Sequence, residues 1–421
     1  MKSKGFIKSV LLVAVLAMAV LANVGATGQQ EAGGEKQETL SFITWRGDDS
    51  AAYDLIIENF EAANPNIKVN VEYFKGGTTY DGIVTTRGMG GELDFYAAQP
   101  GGQLAAYVQS NFALDVTDQP FVDRVLPGAK AAATYDGVTY GVSQATSTMC
   151  VFYNKEIFAE YNLEIPTTWD EFIAICDTLQ SNGVTPLVAG LSQHYIAQNF
   201  YKMMAAHWKP EESPDYWQNI TLKKMTLADE PMPTIMRDIE FLYDQGYYVS
   251  GVEGVDKHGA AALFAQGKVA MNVEGAWRTN TIASTEGAPE FGLFALPYKG
   301  DADKTVRIVH PNQAHLIFPQ SKNIEPSLKF YDHLMNKESQ SIYANVANMV
   351  PTVKDTPVES PVIKMVMDFL ASGEGVLGPN LANTNNEVQQ TLYETFTKVA
   401  IGLDTDDVIA EMQTKIDGIE R

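Results

Sequence analysis

The chain has 421 residues, 45% of them hydrophobic, and carries 52 acidic against 30 basic side chains, a formal charge of −22. So acidic a surface repels nucleic acid and anionic lipid, which excludes both as expected partners and favours a diffusing monomer with no direct membrane insertion. The length exceeds what one hydrophobic core usually supports, so two domains are expected.

The N-terminus is read first. Lys2, Lys4 and Lys8 precede an uncharged apolar run from Val10 to Ala22, and Val24-Gly25-Ala26 follows with small residues. This is the pattern of a cleaved secretory signal over 1–26. The apolar run is short of the roughly 20 residues that a comfortable membrane span takes. The first cysteine is Cys150, so no lipid anchor on a new N-terminal cysteine is expected. Residues 27–38, rich in Gly, Gln and Glu, read as a flexible leader. The expected location is therefore a periplasm, in soluble form after cleavage.

The elements follow in chain order. Thr39 to Thr44 reads as a strand, Ser50 to Ala63 as a helix with Leu55, Ile56 and Phe60 at helical spacing, and Ile67 to Phe74 as an alternating strand. Thr78 to Gly88 is a second helix and Leu93 to Ala98 a third strand. This βαβαβ opening implies a parallel or mixed sheet with helices on its faces. Tyr135 to Val142 reads as a hairpin with an Asp-Gly turn, leading into an apolar strand from Thr148 to Asn154. Thr168 is placed to cap a helix running to Ser181, with Glu171 three residues on as its capping-box partner, and Asn182-Gly183 ends it. Further on, a helix is expected over Ala260–Gln266, a strand over Val269–Val273, a turn at Gly275-Ala276-Trp277, strands over Phe291–Leu296 and His315–Phe318, and a helix over Pro326–Met335. Glu387 to Ile419 reads as largely helical.

An exported chain permits disulfides. Cys150, however, lies in an apolar strand-like run and Cys176 in an amphipathic helix. Two small buried apolar residues are the favoured reading and a disulfide the alternative. No histidine stands at ligand spacing to them, so neither a metal nor another cofactor is expected.

Five stretches carry a family resemblance. They are Asn59-Phe60-Glu61 through Asn64-Pro65-Asn66-Ile67-Lys68-Val69; Gly91-Glu92-Leu93-Asp94-Phe95; Tyr140-Gly141-Val142 through Val151-Phe152-Tyr153-Asn154-Lys155; Pro166-Thr167-Thr168-Trp169-Asp170-Glu171-Phe172; and Phe264 to Met271 through Gly275-Ala276-Trp277. In this order and at these intervals the chain resembles the solute-binding proteins of carbohydrate-type ABC importers, the maltose-binding protein family. Two departures stand out: Pro311-Asn312 replaces a frequent glycine pair, and Leu93 a frequent proline. The resemblance implies an α/β, periplasmic-binding-protein-like fold. Its two discontinuous lobes are joined by hinge strands, with a ligand cleft between them. Lobe one is expected at 39–147 plus 308–350, and lobe two at 148–307 plus 351–421. It also implies a non-enzymatic role: capture of a small solute, a mono- or oligosaccharide, and delivery to the transmembrane subunits of an ABC permease.

A sugar offers hydroxyls that want paired donors and acceptors, and C–H faces that want a flat apolar wall. Candidate residues are of those types. Trp45, Arg46 and Asp48 leave the first strand at its carboxyl end, where open α/β sheets bind ligands. Gln99 follows the third strand. Gln144, Thr146 and Ser147, with Thr148, lie at the first crossing between lobes, where hydroxyls also serve the backbone. Gln193, His194 and Tyr195 follow an apolar run. Trp277 aligns with the family's stacking tryptophan, with Arg278 beside it, and Asn312 stands at the glycine-pair departure. Asn380, Asn383 and Asn386 precede the last helical region, as ligand contacts or as helix caps. Glu72 and Tyr73 are weaker candidates. Three alternatives stay open: a receptor for a polyol, glycerol phosphodiester, oligouronide or peptide; a secreted polysaccharide-active enzyme; and an adaptor that presents ligand to a chemoreceptor. Against the enzyme, the sequence holds no Gly-x-Ser-x-Gly elbow, phosphate loop or His-Glu-x-x-His.

Overall fold

The computed structural model describes residues 37–208, 212, 215–299, 306–377 and 385–420. The expected signal and nearly all of the leader lie outside them. Fourteen strands occur among the described residues: β1 (Glu38–Thr44), β2 (Ile67–Tyr73), β3 (Phe95–Ala98), β4 (Thr134–Tyr135), β5 (Val138–Thr139), β6 (Ala145–Ser147), β7 (Met149–Asn154), β8 (Leu187–Val188), β9 (Met271–Gly275), β10 (Phe291–Phe294), β11 (Val306–Pro311), β12 (Ala314–Ile317), β13 (Val350–Pro351) and β14 (Glu374–Leu377).

The βαβαβ opening forms as read. β1 runs parallel to β3, with Phe42 opposite Phe95, and the sheet order is β12-β3-β1-β2. Strand alternation divides its side chains between two faces. Leu40, Phe42, Ile67 and Val69 pack with Tyr53, Ile56 and Phe60 of the helix Ser50–Ala63. Ile43 and Tyr96 pack on the other face with Tyr80 and Val84 of the helix Thr78–Gly90. Both faces are covered, which is why β3 is buried throughout and β1 from Phe42 to Thr44.

A second mixed sheet has the order β10-β7-β9-β8. Met149, Val151, Met271 and Val273 face a core filled by the helices His194–Trp208, Met232–Asp244, Asn386–Ala400 and Thr405–Asp417. Cys150 and Phe152 face the opposite way, toward the helices Lys257–Ala265 and Pro361–Ala371. Cys176 belongs to the first of these cores and Cys150 to the second. Both are free and buried, and burial pushes both thiols up. The favoured reading of the cysteines therefore stands over the disulfide.

Between the two large sheets lies a third, in the order β13-β6-β11-β14. β6 passes through Thr148 into β7, and β11 passes through Asn312-Gln313 into β12. Thr146 stands opposite both Pro311 and Val350, so three chain passages are laced side by side. Ile308 still buries its side chain in the core of the second sheet, whereas Val353 buries its own in the core of the first.

Local signals were largely followed. The Asp136-Gly137 turn has φ of 48° and 82°, the paired positive values of a type I′ hairpin. The strand expected at Val269 begins instead at Met271. Gly267, at φ 65°, ends the preceding helix, and two more residues turn the chain before β9 can pair. At the helix Trp169–Ser181 the capping box is present: Thr168 Oγ1 accepts from the Glu171 N–H at 3.2 Å, and Glu171 Oε2 accepts from the Thr168 N–H at 3.3 Å. Thr168→Ala removes the bond accepted by Oγ1, leaving the backbone half of the exchange, and is expected to cost about 1 kcal/mol of stability, read from the midpoint of urea denaturation.

Candidate ligand-binding site

At the end of β9 the chain turns through Ala276-Trp277-Arg278 into the helix Thr279–Ala283. A Cβ at Gly275 would collide with the Trp277 ring, so glycine lets the indole lie flat over the backbone it has just left. Trp277 is half-buried and packs against the cores of both large sheets. Its ring centroid is 5.5 Å from that of His310 on β11. The Glu274 carboxylate, which accepts from the Gly275 N–H at 2.9 Å, lies close to the indole.

Arg278 is 2% exposed. Its Nη1 donates to Asp48 Oδ2 at 3.1 Å, across from the loop that follows β1. The Tyr195 hydroxyl also lies in its reach, while Nε is buried with no partner within the protein. Nearby, Asn348 Nδ2 donates to Asn280 Oδ1 at 2.8 Å. Side chains borne by the two large sheets thus meet along one line.

The charges on this line balance. Partial burial pushes the Asp48 carboxyl up, but Arg278, Lys257 and Arg46 outweigh it and hold it below the usual carboxylate range. Glu274, 1% exposed, is pushed up by burial against the pull of Arg278, the Gly275 N–H and Lys257. Burial and the neighbouring Arg278 lower Lys257, partly offset by Asp48 and Glu274. Two cations and two carboxylates share this end.

The helix His194–Trp208 forms another wall. Tyr195, Asn199 and Lys202 recur at helical spacing and share one face. Both amide atoms of Asn199 are buried without a partner. Lys202 is 1% exposed, with its Nζ 4.5 Å from the centre of the Trp217 ring, and burial pushes it down to about 7. Burial, with Lys202 adding to it, pushes His310 down to about 3, so that imidazole is neutral at neutral pH.

The structure sorts the expected residues. Trp277, Arg278, Tyr195 and Asp48 are brought together. Asn312 joins the passage beside β6: its Oδ1 accepts from the Gln313 N–H at 2.9 Å and its Nδ2 is buried without a partner. Thr146 is partly exposed in the middle of the third sheet, while Ser147 is buried opposite His310. Trp45 is half-buried edge-on to Tyr80, at a centroid distance of 5.0 Å. Gln99 and His194 are exposed, and Gln193 Oε1 accepts from the Lys257 N–H at 3.3 Å.

Three expectations are corrected. Gln144 is fully buried behind the site, where its Oε1 accepts from the Tyr53 hydroxyl at 2.7 Å, so the interior of the first sheet's layer has claimed it. Arg46, expected as a hydroxyl partner, spends Nε and Nη2 on Asp49 at 2.6 and 2.7 Å, and Tyr343 donates to the same carboxylate. The cap of the helix Asn386–Ala400 is Asn385, which accepts from Glu387 and Val388. Asn386 is exposed in the first turn. Asn380 and Asn383 lie outside the described residues.

Sequence reasoning passed over Glu274, Lys257, Asn199, Lys202 and His310. A lysine and an asparagine on the same face of an otherwise apolar helix are a readable signal. Nothing local marks His310, since only the sheet brings it to Trp277.

A sequence model of the bacterial extracellular solute-binding protein family matches residues 56–368. The chain belongs to this family. An uncharacterized ABC transporter extracellular-binding protein of Pyrococcus horikoshii is 23% identical, over 99% of this chain and 94% of its own length. The multiple sugar-binding protein of Streptococcus mutans is 20% identical, over 76% of each. Among solved structures, a chitin oligosaccharide binding protein superposes with a TM-score of 0.78 at 20% identity, covering 90% of this chain and 98% of that one. The α/β solute-binding fold is thus shared. No helix among the described residues of this solute-binding protein is long and apolar enough to cross a membrane.

Gly275→Ala is compatible with the backbone, at φ −92° and ψ 151°, yet displaces the Trp277 ring. The expected result is a shifted tryptophan emission maximum and ligand affinity lowered about tenfold, with an unchanged far-ultraviolet circular dichroism spectrum.

Proposed function

We propose that this solute-binding protein is an exported, non-catalytic receptor that closes on an oligosaccharide and hands it to the membrane subunits of an ABC importer. The observation that carries the reading is the composition of the line between the two cores. An aromatic platform, Trp277, lies among buried polar groups whose hydrogen bonds the protein leaves unmade: Arg278 Nε, both amide atoms of Asn199, and Asn312 Nδ2. A flat ring serves the C–H face of a sugar, and unpaired buried donors and acceptors are costly unless a ligand's hydroxyls meet them. The sugar-binding names of the Streptococcus relative and of the chitin oligosaccharide protein support the same ligand class.

In this reading the two lobes are the layers built on the first and second large sheets. The third sheet supplies the hinge, through Ser147 to Met149, Pro311 to Ala314, and the segment after Val353. Ligand contacts on both sides favour the closed arrangement over the open one, and that difference in affinity drives closure. The membrane subunits then recognise the closed form. Export by a cleaved signal over 1–26 completes the picture and is checked by N-terminal sequencing of the secreted protein.

A thermal-shift screen of mono-, di- and oligosaccharides, polyols and amino acids tests the ligand class. A sugar at 100 times its dissociation constant adds about 2.7 kcal/mol of stability and a visible rise in Tm. Hits confined to non-sugar solutes overturn the carbohydrate assignment. Recovery of the bound sugar unchanged after long incubation separates receptor from enzyme, since a hydrolase would return shorter products. Trp277→Ala is expected to weaken sugar binding by at least about 1 kcal/mol, measured by titration calorimetry.

A further inference from the structure

Around the cleft, among the described residues, two ion pairs form and Lys257 lies in the field of two carboxylates, whereas Lys202 has neither. Arg46 is bound to Asp49, and Arg278 and Lys257 share Asp48 and Glu274. Among the described residues no ion pair or hydrogen bond involves Lys202, and its ammonium lies over the uncharged face of Trp217. His310, the nearest titratable group to feel it, is neutral and cannot balance it. An ammonium buried to 1% exposure without an anion is costly, and folded proteins retain such groups where something supplies the missing charge.

The position of Lys202 says what supplies it. It lies seven residues along the helix from Tyr195, on the same face, about 10 Å further along the helix axis, and Tyr195 in turn lies close to Arg278. Asn199 lies between them with both amide atoms unpartnered. His310, beside Trp277, flanks the same stretch. A chain of two or three sugar rings lying along this face, with one ring on Trp277, places a further ring at Lys202. The protein offers one spare positive charge there together with amide donors. That suits a single negative charge spread over two oxygens. A phosphate monoester, carrying nearly two charges, would leave one of them without a cation.

We propose that the captured oligosaccharide is acidic: it carries a uronate whose carboxylate pairs with the Lys202 ammonium between Asn199, His310 and Trp217. This rests on the carbohydrate reading above and narrows it.

The test compares each candidate with its own neutral twin. The purified protein is titrated with di- and tri-uronides of galacturonate, glucuronate and mannuronate, with the methyl esters of the same oligomers, and with neutral oligosaccharides. At least one uronide is expected to bind about tenfold tighter than its ester. Lys202→Met is expected to abolish that preference while raising the Tm of the ligand-free protein, because it replaces a buried amine that must either lose its proton or stay charged without a counter-ion. A neutral sugar that binds as tightly as any uronide overturns the proposal and leaves the carbohydrate reading standing. Failure of every sugar, acidic or neutral, overturns both. Should the variant not fold, the comparison of uronide with ester on the unaltered protein decides alone.

Discussion

A buried guanidinium has to be answered by an anion, and Arg278 finds its own on the other side of the cleft. Its ion pair with Asp48 joins the loop after the first strand to the turn after β9, which belong to different cores. Much else follows from that pairing. Trp277 is held between the two cores because the residue after it is anchored. Glu274 and Lys257 are drawn into the same set of charges, and Tyr195, in the first turn of the helix His194–Trp208, lies close to the same guanidinium. A water-exposed ion pair of this kind contributes little, but Arg278 is desolvated, and its charge helps to hold the Asp48 carboxyl below the usual range.

Behind this line lies a second polar layer that does not face a ligand. Arg46, Asp49, Tyr343, Gln313, Tyr53 and Gln144 form a continuous buried network, with Gln313 Nε2 donating to Tyr343 at 3.1 Å and to Tyr53 at 3.3 Å. It ties the loop after β1 to the passage between β11 and β12 and to the helix Lys337–Val346. Such a network holds Asp48 at a fixed height above the sheet, one residue from Asp49. The two acids of Asp48-Asp49 thus serve opposite sides, one the cleft and the other the interior.

This division explains what the sequence made legible. The fold was readable because hydrophobic period and turn chemistry are local: the βαβαβ opening, the Asp136-Gly137 hairpin and the Thr168 capping box needed no tertiary information. Trp277 and Arg278 were readable from their motif and the glycine before them. Arg46 and Gln144 were misjudged because type and position cannot say which side of a loop or strand a polar side chain will take; packing against Tyr53 and Asp49 decided it. Lys202 and Asn199 were missed because they sit in the middle of a helix that reads as core, among Phe200, Tyr201, Met203 and Met204. Their meaning emerges only when the helix is laid beside β11.

The lacing of three passages through the third sheet also bears on the order in which the chain can fold. The core around the first sheet takes in Ile317, Phe330 and Met349, and the core around the second is not filled until Val388, Phe396, Met412 and Ile416 are in place. A nascent chain can therefore complete the first core once Val353 is made, while the second still lacks the helices Asn386–Ala400 and Thr405–Asp417. Non-local closure of this kind is slow. The apolar surface of the second core accordingly stays uncovered longest during synthesis.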